Sequence, residues 1–175
     1  MTLRNLDFAL LILLFIYVPA SEASFLSQQY TSSWISPGFF PLGTSQIHIN
    51  NIQNETGHEA SFDILDYLKG EIYERLPAYG LKEGSFDDDN SILVNINVYL
   101  YQEGSTFGRW LGGGAGAAYV VIHAIFRERG QSIGAELLTV SVIKEGGLYS
   151  AGAEKTVLED VATVVASFLQ AGSGK

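Results

Sequence analysis

The sequence predicts one small α+β domain, ordered strand, helix, three strands, helix, with two helices covering a mostly antiparallel sheet. Three observations predict it. Residues 45–52 and 92–101 alternate apolar and polar side chains; residues 61–79 and 154–170 repeat apolar side chains at helical spacing; and two β-branched runs, 118–126 and 133–143, flank the charged turn RERGQ. A chain of 175 residues can bury one apolar core large enough to hold such a fold without staples.

Residues 1–23 read as a targeting segment. Arg4 precedes the apolar run FALLILLFIYV, followed by Pro19 and the small-residue site Ser21-Glu22-Ala23. The run is short of the roughly 20 residues that span a bilayer as a helix, so the expectation is a signal peptide cleaved after Ala23; Asp7 before the run keeps an uncleaved anchor as the alternative. Residues 24–44 then form an arm with no Asp, Glu, Lys or Arg, in which Trp34, Phe39 and Phe40 stand among Ser, Gln, Pro and Gly. Such a segment is too sticky for a solvated linker. It either closes over the sheet or docks on a partner.

The folded domain is expected over residues 45–170. Ile47 and Ile49 alternate with Gln46, His48 and Asn50 in a first strand, and Phe62, Leu65, Leu68, Ile72 and Leu76 line one side of a helix that Pro77 and Gly80 stop. In the strand after it, Ile92, Val94, Ile96, Val98 and Leu100 are expected on one face, with Leu93, Asn95, Asn97, Tyr99 and Tyr101 on the other. The hairpin through Gly130 and a final helix with Val157, Val161, Val164 and Phe168 on one face complete the domain. Residues 171–175 read as a frayed tail.

Composition excludes several kinds of work. There is no cysteine, so disulfides, zinc thiolates, cysteine nucleophiles and a lipid-bearing cysteine are all excluded. A net charge of −9 and a pI near 4.6 argue against nucleic acid. His48, His58 and His123 are too scattered for a local metal motif, and the Asp87–Asn90 run DDDN lacks the glycine and distant glutamate of a calcium loop. No G-x-S-x-G elbow occurs. The reading is a non-catalytic protein without cofactor or metal.

The segment FGRWLGGGAGAAYVVIHAIF is the most distinctive of the chain. It lacks the lysine and hydroxyl of a phosphate loop, and its glycines lead into Val120, Val121 and Ile122 rather than into a helix. Two overlapping G-x-x-x-G steps, Gly108, Gly112 and Gly116, leave a glycine-zipper membrane protein as one alternative. The favoured reading is a backbone bulge at Gly112, Gly113 and Gly114, with Arg109 and Trp110 exposed beside it as partner-binding residues. Trp34, Phe39 and Phe40 of the arm complete that candidate set.

RWLGGGAGAAYVVIHAIF, the charged turn at Arg127–Gly130, AELLTVSV, the pair Gly146-Gly147 and the closing EDVATVVASFL together resemble the Gram-negative envelope family called domain of unknown function 4410. The resemblance covers about residues 107–170. RERGQ replaces that family's usual D-x-x-T-G turn, and its lipoprotein cysteine is absent. The resemblance implies a periplasmic or outer-membrane-associated protein whose partners are other envelope proteins, further copies of itself among them. Any membrane association would then be indirect. The role expected is a subunit or accessory of a multiprotein assembly such as a secretion apparatus; the alternative is a periplasmic binding protein for a small or lipidic ligand. It implies no catalytic residues.

Overall fold

The protein is described by a computed structural model covering residues 28–36, 39, 46–57, 59–60, 62–89, 91–105, 116–129, 133–143 and 152–172. Its elements are β1 (Gln28–Ile35), β2 (Gln46–Asn54), α1 (Ile64–Arg75), a 3₁₀ turn (Leu76–Tyr79), β3 (Lys82–Glu83), β4 (Ser91–Gln102), β5 (Ala118–Glu128), β6 (Ala135–Ile143) and α2 (Ala153–Gly172). They form one six-stranded sheet in the order β1-β6-β5-β4-β2-β3. Pairing from β1 through β6 and β5 to β4 is antiparallel, whereas β4-β2 and β2-β3 are parallel. The class is the expected α+β, with a mixed sheet.

The parallel pair β2-β4 requires a crossover, and α1 supplies it. Asp63 starts that helix: its side chain accepts hydrogen bonds from the Leu65 and Asp66 amides, both at 3.0 Å. Pro77 then stops regular helix, and Gly80, at φ 73°, adopts the left-handed turn that lets the Leu81 amide reach the Leu76 carbonyl. Ile64, Leu68 and Ile72 are buried.

Both helices lie on one face of the sheet. Between them and the strands sit Ile47, Ile49, Ile92, Val94, Ile96, Val98, Val120, Ile122, Phe126 and Leu137. The buried stripe of α2 is wider than expected: Leu158, Ala162, Val165, Ala166 and Leu169 join Val157 and Val161. Phe168 leans on Phe126 with ring centroids 5.1 Å apart. Tyr67 on α1 donates to Glu159 on α2 at 2.8 Å, and Arg75 Nε donates to Thr163 Oγ1 at 2.8 Å, tying the helices together at their polar margins.

Two expectations need correction. The strict alternation along β4 fails after Val98, where the register with β5 shifts between Val98 and Leu100. One extra residue in a strand reverses the facing of everything beyond it. Tyr101, opposite Val120, therefore packs against the core, and Leu100, opposite Val121, takes the other face. The strand count also rises from four to six, because Gln28–Ile35 and Lys82–Glu83 add an edge strand on each side. Polar side chains fill most of both, so neither carries an apolar alternation.

Candidate functional site

β1 pairs in unbroken register with β6, from Gln28 opposite Val142 to Ile35 opposite Ala135. Much of the segment read as an arm is thus part of the sheet. Beyond it, the Ser36 amide bonds the Gly134 carbonyl at 2.8 Å and the Phe39 amide bonds the Ser36 carbonyl at 3.0 Å. That turn lays the half-buried Phe39 ring against Gly134 and the core. Phe39, expected at a partner, is committed to the chain's own packing.

Trp34 behaves differently. It is 51% exposed and its neighbour Ile35 is 42% exposed, two of the four large apolar side chains most open to solvent among the described residues. Six of the eight β1 residues are exposed. No described strand lies outside β1. An edge of this length is usually blunted by charge, proline or a bulge, because its free amides and carbonyls template pairing with another chain. QQYTSSWI contains none of these.

The opposite edge is blunted by other means. β3 has only two residues, both charged; β2 carries an irregularity between Ile49 and Asn51; and the Ile49 amide is capped by the Tyr73 hydroxyl at 3.0 Å. Burial raises the Tyr73 phenol above its usual value, a shift opposed by its bond to Ile49 and reinforced by the Glu83 charge.

On the sheet face away from the helices, Trp34 lies opposite Glu136, whose Oε2 is 3.2 Å from His123 Nε2. Tyr99 stacks on that histidine with ring centroids 6.3 Å apart. His123 is therefore held within the sheet surface by a carboxylate and a ring. His48 contacts the Gly84 carbonyl at 3.2 Å and Phe86 edge-on. Arg129 covers Phe86 and pairs with Asp87 and Asp89 at 3.7 and 3.4 Å, which assigns two acids of the DDDN run to an arginine.

At the far end of β4, an open depression of about 540 Å³ is lined by Thr56, Glu59, Leu100, Tyr101, Gln102 and Tyr119, among others. Tyr101 donates to the Glu154 carbonyl at 3.2 Å, and burial first, then the charges of Glu103 and Glu154, raise its phenol above the usual range. Lys155 lies 5.7 Å from the Phe62 ring centre and 5.4 Å from that of Tyr67. Arg109, Trp110, Gly112, Gly113, Gly114, Phe40 and His58 lie outside the described residues. On either side of residues 109–114 in sequence, the Ser105 amide donates to the Gly116 carbonyl at 3.0 Å. Trp34, singled out in the sequence, is exposed on a strand that its neighbours do not reveal; the signal of that strand was the absence of charge, which reads as stickiness before it reads as an edge.

No family model matches the chain, and no curated protein does. Solved structures do. The PelC dodecamer from Paraburkholderia phytofirmans matches with a TM-score of 0.55 at 12% identity, over 82% of this chain and 98% of that one. The chain is similar in fold to PelC. A single-substitution variant of the same dodecamer matches with a TM-score of 0.54 at 14% identity over the same shares, and XCC0632 from Xanthomonas campestris gives 0.46 at 12% over 77% and 86%. The resemblance to domain of unknown function 4410 thus rests on the sequence motifs alone, and the likeness to PelC is one of fold. Among the described residues, no helix is long and apolar enough to cross a membrane.

Proposed function

We propose that the chain is an exported, non-catalytic subunit of a multiprotein cell-envelope assembly, such as a secretion apparatus, and that it works as a homo-oligomer. The observation that carries this reading is the unblunted edge strand with Trp34 and Ile35 on it, in a protein that otherwise carries a net charge of −9. The fold likeness to a protein that forms dodecamers supports it. Arg109 and Trp110, which lie between Ser105 and Gly116 in the sequence, are further candidates for contact with other subunits. Export by the first 23 residues would place the assembly in the periplasm or at the outer-membrane periphery.

The test is fractionation of the producing cells followed by native mass measurement. A chain shortened to begin at Ser24, found in the envelope fraction as an oligomer, agrees with the proposal; a full-length chain found free in the cytoplasm contradicts it. A second reading, a periplasmic binding protein for a small or lipidic ligand, would seat that ligand in the open depression beside Tyr101. A monomer that copurifies with a small molecule would bring that reading forward.

A further inference from the structure

We infer that β1 is the self-association element, and that two copies join through it as an antiparallel pair about a twofold axis at Ser32. The inference rests on the homo-oligomeric reading above and specifies the surface that makes the contact.

The backbone sets the geometry. The Ser36 amide bonds the Gly134 carbonyl directly opposite it. In an antiparallel ladder such pairs alternate. Ser36, Trp34, Ser32, Tyr30 and Gln28 therefore direct their amides and carbonyls at β6, while Gln29, Thr31, Ser33 and Ile35 direct theirs outward. These four residues are exposed, and β1 packs chiefly on β6, with the helices leaving its outer side clear.

Charge argues for a second copy as the occupant. Two molecules of an acidic chain repel across most of their surfaces. From Ser24 to Asn54 there is no ionisable Asp, Glu, Lys or Arg, and β1 lies within that stretch. A β1 strand meets another β1 strand without repulsion, and a two-fold contact needs only one such surface. The charged, irregular β2-β3 edge offers no comparable template.

The register follows from maximal pairing. With Ser32 on the axis, Thr31 faces Ser33 of the other copy and Gln29 faces Ile35, which yields about eight interchain hydrogen bonds from the four outward residues of each strand. Tyr30 then stands directly opposite Trp34 of the other copy, twice, on the face away from the helices. Cross-strand aromatic pairs of this kind stabilise antiparallel sheets. Shifting the axis to Thr31 or Ser33 shortens the ladder and sets Trp34 against Gln28 or Ser32.

The chain contains no cysteine, so an introduced one reports cleanly. Facing residues that lack mutual hydrogen bonds have Cα atoms about 4.5 Å apart, within disulfide reach. Under mild oxidation, Ser32→Cys is expected to convert most of the protein to a covalent dimer. Gln29→Cys is expected to stay unlinked, since its copies would lie about 20 Å apart along the strands. Ser33→Pro removes an outward amide and spares the bonds to β6, so the variant is expected to keep its melting temperature and lose the dimer. An oligomer that persists in Ser33→Pro, or a disulfide that forms in Gln29→Cys and fails to form in Ser32→Cys, overturns the edge pairing but leaves self-association standing. A wild-type chain that is monomeric at all concentrations overturns both.

Discussion

Gly134 packs so closely against the ring of Phe39 that a Cβ at residue 134 would clash with the ring carbons Cδ2, Cε2 and Cγ. The turn that follows β1 is held there by the bond from the Ser36 amide to the Gly134 carbonyl. Gly134 is thus required by a close approach, and its partner in that approach is a residue of the segment that the sequence left either closing over the sheet or docking on a partner.

Gly134→Ala is therefore expected to destabilise the fold by about 1–3 kcal/mol, the usual cost of overpacking. Phe39→Ala is expected to be destabilising by itself, through loss of its core contact. In the Phe39→Ala background, however, the added methyl at residue 134 has room. A double-mutant cycle by denaturant unfolding reads the coupling. Strictly additive effects would show that the ring and the glycine do not meet.

The Tyr73 hydroxyl, 3.0 Å from the Ile49 amide, protects the blunted edge of the sheet. Tyr73→Phe leaves that amide without its acceptor, at an expected cost of about 1 kcal/mol of unfolding free energy, read by denaturant titration. Because the same amide becomes available to other strands, the variant is also expected to aggregate sooner at equal stability. An unchanged midpoint and unchanged solubility would mean that the bond contributes nothing.

Alkaline stability should depend on two phenols. Burial, and then the Glu159 carboxylate that accepts the Tyr67 hydroxyl hydrogen at 2.8 Å, raises Tyr67 above its usual value near 10; Tyr101 is raised by burial and by Glu103 and Glu154. A raised phenol favours the neutral form in the folded state. That stabilisation is fully present below about pH 10 and is lost as pH rises above it. The melting temperature is expected to fall steeply above pH 10, and less steeply in Tyr67→Phe and Tyr101→Phe. Identical alkaline limbs in all three proteins would contradict this.

Much of the fold was legible because helix and strand periods reflect burial on one side. Val94, Ile96 and Val98 on β4 and Val157 and Val161 on α2 reach the core as their spacing implies. What stayed hidden depends on the rest of the molecule. β1 lies outside the helix layer, so its helix-side residues Gln29, Thr31 and Ser33 are polar and no alternation marks the strand. The irregularity after Val98 is a matter of pairing with β5, which local period cannot report. Phe39 and Trp34 look alike in sequence, yet the first meets Gly134 across about a hundred residues of chain while the second meets solvent.

Self-association is the central claim, and native mass spectrometry of the chain beginning at Ser24, beside its Trp34→Ala variant, tests it most directly. An oligomer is predicted for the parent chain, and for the variant a shift toward monomer with little change in melting temperature, since Trp34 is half exposed in the single subunit. A parent chain that remains monomeric up to high concentration would contradict the claim.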